Sequence, residues 1–389
     1  MTHPKFSHYD LQLVEPSFNA PLTDLIINLD HLRRRQLGGS TPPVIFFQLK
    51  HIFHMLESLG SARIEGNNTT IAEYIETKIE HDGNVSEGVK EIQNIEATMD
   101  FIEDYVLKGY PINRVFISEI QKGIVENLSP SREGDHTPGE YRKGNVQISK
   151  SLHLPPDFVK VDEYMNELFA FVNQNDRPKY DLLKVAIAHH RFVWIHPFAN
   201  GNGRTVRLFT YALLVKLGFN VEKGRILNPT AIFCSDRDMY YRKLACADEG
   251  TEAGVLEWCE YVLEGLKKEI EKIDRLSDYP YLKKEILQPT IRYALDHQHI
   301  TETESKILKK ALVKQRIQAS DMKEFFPGKL APEVSRQIRK LIDKNMLEPE
   351  TKNGKKYTIQ FVNSYLLRGI IKALSDKDFL PIKDEVLPS

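Results

Sequence analysis

Residues 195–207, IHPFANGNGRTVR, set a Gly-Asn-Gly turn between two helical stretches, and this turn constrains the fold more than any other feature of the chain. The run YDLLKVAIAHHRFVWI reads as a helix leading directly to His196, Pro197 breaks it, and a new helix opens near Asn202. A helix N-terminus carries partial positive charge, so cations are disfavoured there. Arg204 and Arg207 nevertheless stand in these first turns, three residues apart on one side, with no acid between His196 and Arg207. The pattern calls for an anion supplied from elsewhere. Glycines let a phosphate approach the backbone N–H groups, and two guanidiniums one turn apart fit successive phosphates of a polyphosphate. His196, at the rim, is a base that titrates near neutrality. Phosphoryl-type transfer to a hydroxyl is the chemistry this set supports; a plain capped loop is the alternative.

Around this turn the chain reads as mainly α. TDLIINLDHLRRR, VIFFQLKHIFHMLESLG, TIAEYIETKIEH and GVKEIQNIEATMDFIEDYVLKG repeat an apolar helical period, the second ended by Gly60. SARIEGNN follows Gly60 as a separate short helix, capped by Ser61 and ended by Gly66 and Asn67. Further helices fall near 113–127 and 157–174, and residues 138–156, with Val146 and Ile148 alternating, read as a short hairpin or extended flap. Two more helices lie in RDMYYRKLACADE and VLEWCEYVLEGLKKEIEKI. A charged stretch after 270 marks a boundary. Beyond it, three short helices precede a hairpin turning at Asn353-Gly354, the layout of a winged helix.

The string His196-Pro197-Phe198-Ala199-Asn200-Gly201-Asn202-Gly203-Arg204-Thr205-Val206-Arg207 resembles the Fic-family signature HPFx(D/E/N)GNGRxxR at every fixed position. The resemblance covers roughly residues 60–265 and includes a flap ending in Leu154-Pro155-Pro156. It implies a mainly α fold, a Fic helical core with a short β-hairpin flap, to which the C-terminal winged-helix-like module is added. The expected layout is a helical N-terminal region over 1–110, a Fic core over 111–270 and the module over 285–375.

The resemblance also implies an activity: protein adenylyltransfer, in which AMP passes from ATP to a Ser, Thr or Tyr hydroxyl of a target protein or of the enzyme itself. His196 would take the hydroxyl proton. Gly201, Asn202, Gly203, Arg204, Thr205, Val206 and Arg207 would hold the ATP phosphates, with Arg207 on the γ-phosphate. The flap residues Val146, Gln147, Ile148 and Ser149 would cover the nucleotide and pair with the target as an added strand. Tyr240 and Asp248 fall where the family contacts adenosine; a core role for Tyr240 is the alternative, and Asn is the commoner residue at the second position. Asn200 stands where an acidic residue usually helps hold Mg²⁺, so it is a weak metal ligand acting through Mg-ATP, with Mn²⁺ the alternative ion. His189 and His190 point about 100° apart on a helix and read as structural.

Ser61-x-x-x-Glu65-Gly66 matches the inhibitory motif (S/T)xxxE(G/N) of the same family, at about 61–66. There the glutamate pairs with the second signature arginine, which implies a Glu65–Arg207 pair that blocks the γ-phosphate position. A cap, a turn and a solvated Glu65 is the alternative reading. The same carboxylate would also serve to position water for removing AMP, so a deAMPylase is the rival within the class.

With 53 Lys and Arg against 54 Asp and Glu, the chain has no global pull toward nucleic acid or membrane. A local pull lies in the C-terminal module, where Arg336, Arg339, Lys340 and Lys344 accompany Lys352, Lys355 and Lys356. This leaves DNA binding by a nucleotide-sensing regulator as the rival from another class, and protein binding or homodimer formation as the alternative for the module. The N-terminus lacks a secretory layout, no apolar run reaches membrane-spanning length, and Cys234, Cys246 and Cys259 lack a metal spacing. The expectation is a cytoplasmic protein with free thiols.

Overall fold

The computed structural model describes residues 4–34, 39–80, 85–149, 151–219, 229–328, 331–352, 354–362 and 364–380. In chain order the helices begin with α1 (Pro21–Arg34), α2 (Pro43–Ile64), α3 (Ile71–Glu80), α4 (Glu87–Leu107) and α5 (Arg114–Val125). Next come α6 (Val161–Asn173), α7 (Asp181–Ile195), α8 (Asn202–Lys216), α9 (Thr230–Cys234), α10 (Arg237–Asp248) and α11 (Glu252–Asp274). The C-terminal part holds α12 (Tyr279–Leu282), α13 (Gln288–Asp296), α14 (Glu302–Lys314), α15 (Ala331–Asp343) and α16 (Leu366–Ser375). The fold is mainly α, with a single antiparallel pair, β1 (Leu347–Pro349) and β2 (Tyr357–Ile359), among the described residues.

The chain forms two compact units. The first comprises Met1–Gln36, His54–Asn68 and Ser86–Glu271. At its centre α7 packs on α8, α4 and α5 lie against α8, and α6 lies against α7. Almost every residue of α7 from Leu182 to Ile195 is buried, as is α8 from Arg204 to Val215, so both are core helices without a solvent face. α4 owes its start to Ser86, whose hydroxyl accepts the Val89 N–H, and its packing to Ile92, Ile95, Met99 and Ile102 at helical spacing.

Two expectations in this unit need correction. α2 does not stop at Gly60. It continues to Ile64, because Leu56, Leu59 and Ala62 are fully buried and outweigh the roughly 1 kcal/mol that a mid-helix glycine costs. The motif SxxxEG therefore occupies the end of a long helix, and Ser61 caps nothing. That end is a Schellman turn: Gly66 N–H bonds Arg63 O at 3.0 Å, Asn67 N–H bonds Ala62 O at 3.1 Å, and Gly66 has φ +105°. The flap, second, is not a hairpin. Among its described residues no two strands pair; the nearest thing is an isolated parallel bridge between His153 and Lys5. The alternation itself is real, with Val146 and Ile148 half-buried and Gln147 and Ser149 exposed, but alternation sets the faces of an extended segment without supplying a partner for its edge.

The second unit comprises Leu37–Phe53, Thr69–Val85 and Lys272–Ser389. Thr301 and Glu304 form a capping box at the start of α14, and α13 packs against α16. Val334, Ile338 and Leu341 bury one face of α15, and Arg336, Arg339 and Lys340 are exposed on the other. The runs flanking the predicted turn pair in antiparallel register, Glu348 opposite Thr358; Asn353 of that turn lies outside the described residues. Gln48 in α2 clamps this hairpin, its amide donating to Ile359 O at 2.9 Å and its oxygen accepting Phe361 N–H at 2.7 Å. The charged stretch after 270 is itself helical, including a π turn over Lys283–Leu287, and α13 and α16 carried no sequence signal strong enough to be placed. No helix among the described residues is long and apolar enough to cross a membrane, and no disulfide joins Cys234, Cys246 or Cys259 among the described residues.

Candidate active site

His196 terminates α7 in a left-handed conformation, φ 51° and ψ 62°, with its N–H still bonded to Phe192 O at 3.0 Å. Pro197 cannot continue the helix, and the left-handed residue turns the imidazole out of the α7 ladder. Nδ1 lies 3.3 Å from Val193 O. A carbonyl only accepts, so Nδ1 carries the proton and Nε2 keeps its lone pair. Burial lowers the His196 pKa to about 4; the Val193 bond opposes this, and Arg142 adds to it. The ring is thus a neutral base throughout the physiological range.

The turn that follows is braced by its own side chains. Asn202 accepts the Phe198 N–H through Oδ1 at 2.9 Å and donates Nδ2–H to Phe198 O at 2.8 Å, closing the loop on itself. Asn200 donates to Arg132 O and Gly134 O, both at 2.9 Å, and accepts the Gly201 N–H at 2.6 Å. The fully buried Gln121 donates to Asn200 O at 3.1 Å and to Asp135 Oδ2 at 2.9 Å. An aspartate at 200 would lack the two donors on which this brace depends, which accounts for the amide in physical terms. Its oxygen already receives one N–H, so a cation there would share it. Among the described residues no group of three or more His, Cys, Asp or Glu could hold a metal ion.

The two arginines of α8 are both about 1% exposed, and both are partnered. Arg204 pairs with the buried Glu91 at 2.9 Å and with Glu133 through its carboxylate and its carbonyl, each at 2.9 Å. Glu91 in turn accepts from Asn67 at 2.7 Å. Arg207 donates from Nε to Ser61 Oγ at 2.8 Å and from one terminal nitrogen to Ser61 O at 2.9 Å and Glu65 Oε1 at 2.8 Å. The anion that the sequence lacked near α8 therefore comes from the end of α2. Glu65 engages Arg207 through one oxygen rather than two, and Ser61 takes Nε and shares the terminal nitrogen that Glu65 holds. Burial pushes the Glu65 carboxyl up, but Arg207 and Arg204 outweigh it and hold it below its ordinary range. Gly203 makes the room: a Cβ there would collide with Glu65 Oε1.

The remaining expected residues are placed less directly. Thr205 and Val206 are fully buried, and the Thr205 N–H already bonds Gly201 O at 2.9 Å. Tyr240 is buried, its hydroxyl 2.9 Å from His189 Nε2, while His189 Nδ1 is 2.7 Å from Thr210. Thr210 donates to Val206 O, so the proton order runs from Tyr240 through His189 to the α8 backbone. Asp248 accepts from His190 Nε2 at 2.9 Å, and Tyr9 meets His190 Nδ1 at 3.1 Å. Both histidines thus spend their ring nitrogens on side chains of the same unit. No sequence signal marked Gln121, Glu91, Glu133 or Arg142, each a lone polar residue with at least one partner brought to it by folding.

Residues 111–214 match the Fic/DOC family. The chain carries a Fic-family domain. The protein adenylyltransferase Fic of Aedes aegypti is 31% identical over 207 residues, 52% of this chain and 37% of that protein. The protein of the same name from Drosophila melanogaster is 30% identical over 209 residues, 53% of this chain and 38% of its own. The similarity thus spans well under half the length of these relatives. A Fic family protein from Desulfovibrio desulfuricans G20 shares the fold over 89% of this chain and 98% of its own, with a TM-score of 0.52 and 18% identity. Fic-1 from C. elegans does so over 64% of this chain and 71% of its own, at a TM-score of 0.52 and 19% identity. The Fic domain places His196 and the Gly201–Gly203 turn at the junction of its two most buried helices.

Proposed function

We propose that the chain transfers AMP from ATP to a Ser, Thr or Tyr hydroxyl of a protein, its own included, and that Glu65 holds this activity down. His196 Nε2 takes the hydroxyl proton, the oxygen attacks the α-phosphorus, and the bond to the β-phosphate oxygen breaks to release pyrophosphate. The N–H groups at the start of α8 lack intrahelical acceptors and receive phosphate oxygens. A divalent cation, Mg²⁺ or else Mn²⁺, would neutralise phosphate charge, with Asn200 its weak protein ligand. Val146, Gln147, Ile148 and Ser149 cover the nucleotide, and Tyr240 and Asp248 belong to the wall on its adenosine side.

The observation that carries the reading is the place of Glu65. Its carboxylate lies on Arg207 and against Gly203, where the terminal phosphate would otherwise be received. A carboxylate on the guanidinium competes directly with that phosphate. The test uses ATP labelled at the α-phosphate with the wild type, Glu65→Gly, and Glu65→Gly with His196→Ala. Glu65→Gly should raise protein-bound label on the order of tenfold or more, equivalent to about 1.4 kcal/mol off the barrier. His196→Ala should then lower it by about 10²–10⁴-fold. Equal labelling of wild type and Glu65→Gly would sink the inhibitory role. Loss of label from a premodified protein, accelerated by Glu65, would move the assignment to AMP removal.

For the second unit, read as a winged helix, the exposed Arg336, Arg339 and Lys340 opposite the buried face of α15 support duplex DNA as a further partner. Binding should weaken steeply with salt. No retardation of a duplex at low salt would remove DNA as a partner.

A further inference from the structure

Arg142 is 4% exposed, and no carboxylate among the described residues bonds to it. A guanidinium buried in this way is costly unless its donors are satisfied in good geometry. Here they are satisfied entirely by main-chain carbonyls. Nε donates to His196 O at 2.9 Å, one terminal nitrogen to Gly144 O at 3.0 Å, and the other to Pro156 O at 2.6 Å and Ile195 O at 3.4 Å. Its own N–H bonds Pro197 O at 2.9 Å. One residue thus reaches three consecutive carbonyls, those of 195, 196 and 197, and both ends of the flap, at 144 and 156.

These carbonyls are not an arbitrary set. Ile195 O and His196 O lie at the C-terminal end of α7, where carbonyls lose their intrahelical donors and a basic side chain is favoured. His196 is held in a left-handed conformation there, a state that a non-glycine residue keeps only when its surroundings fix it. Gly144 and Pro156 bracket a segment that turns where Ser151 N–H bonds Ile148 O at 3.2 Å and that forms no β-ladder among the described residues, only an isolated bridge between His153 and Lys5.

We propose that Arg142 is a positioning residue that sets the base and the flap in register, fixing the His196 backbone and both flap ends on one guanidinium. The proposal rests on the transfer reading above. A lysine cannot replace the fork, because its ammonium is a point charge on a flexible stem, whereas the guanidinium presents five donors in fixed directions. The guanidinium charge, though secondary to burial and the Val193 bond, also disfavours protonation of His196.

The test places Arg142→Lys and Arg142→Met in the Glu65→Gly protein. Labelled-AMP transfer gives kcat and the KM for ATP, calorimetry gives ATP affinity, and NMR of ring-labelled histidine follows the His196 titration. The expected result is a fall in kcat of tenfold or more in both variants with ATP affinity changed less than threefold. In Arg142→Met the His196 midpoint should also rise from about 4 toward the ordinary imidazole value. Should Arg142→Met fail to fold, Arg142→Lys decides through its kcat and affinity alone. A kcat within twofold of the parent in a folded variant would reduce Arg142 to a stabilising cap of α7, as would an unmoved His196 midpoint in Arg142→Met. Absence of label in the Glu65→Gly parent would count against the transfer reading, and the histidine titration would still decide the role of Arg142.

Discussion

The signature turn and the flap hang on the same arginine, yet they are built in opposite ways. In the turn, Asn200 and Asn202 spend their amides on nearby backbone, Gln121 of α5 braces Asn200 O, and the residues around them are mostly buried or half-buried. In the flap, Gln147 and Ser149 face solvent, Val146 and Ile148 are only half-buried, and residues 145–148 have no neighbouring strand among the described residues. A turn that must meet a small ligand in one geometry supplies its own constraints. A segment that is to meet a polypeptide can leave its edge open, and an unpaired extended edge is what strand addition requires.

The contrast can be pressed at Gly203, where the larger effect is expected. If the turn is shaped to accept Glu65, Gly203→Ala should destabilise the wild type by about 1–3 kcal/mol through the displaced Glu65–Arg207 contact. In Glu65→Gly the same change should be neutral or gain up to about 1 kcal/mol, since alanine is the better helix former. Chemical denaturation of the four proteins gives the coupling. Additive effects would show that Gly203 and Glu65 do not share space. In the flap, Gln147→Ala and Ser149→Ala should move stability by no more than about 0.5 kcal/mol, as exposed positions do. A loss comparable to that at Gly203 would show that the flap is held as tightly as the turn, and would remove the contrast.

The same contrast explains what could be read in advance. The buried parts announce themselves: α7 and α8 carry long apolar runs, the turn between them needs glycine, and α8 opens with two arginines and no acid. Glu65 was legible through its spacing from Ser61 and Gly66, although its setting was not. Gly60 looked like a helix end because glycine is a poor helix former, and the burial of Leu56, Leu59 and Ala62 that overrides it becomes visible only in three dimensions. The alternation of Val146 and Ile148 left a hairpin and an extended flap both open, because that pattern sets faces and is silent on pairing. Arg142, Gln121 and Glu91 could not be found at all. Their work is done on carbonyls and side chains brought together by folding, and nothing in their immediate sequence distinguishes them from surface residues.

Glu65 and His196, both in the first unit, also set the acidic arm of its pH profile. The Glu65 carboxyl is held below its ordinary range, so its pairing with Arg207 is complete above that range and is lost as pH falls through the lowered value. His196 gains its proton near pH 4, in the same acidic region. Acid should therefore not release an active enzyme, because the base is lost where the inhibitory pair opens.

The central claim is that Glu65 keeps the terminal phosphate of ATP off Arg207. Calorimetric titration of the wild type and Glu65→Gly with ADP and with ATP tests it without requiring turnover or a known target. If the claim holds, the two nucleotides bind the wild type with similar affinity, and Glu65→Gly gains affinity for ATP by about tenfold while ADP changes little. An equal gain for both nucleotides, or none for ATP, would contradict it.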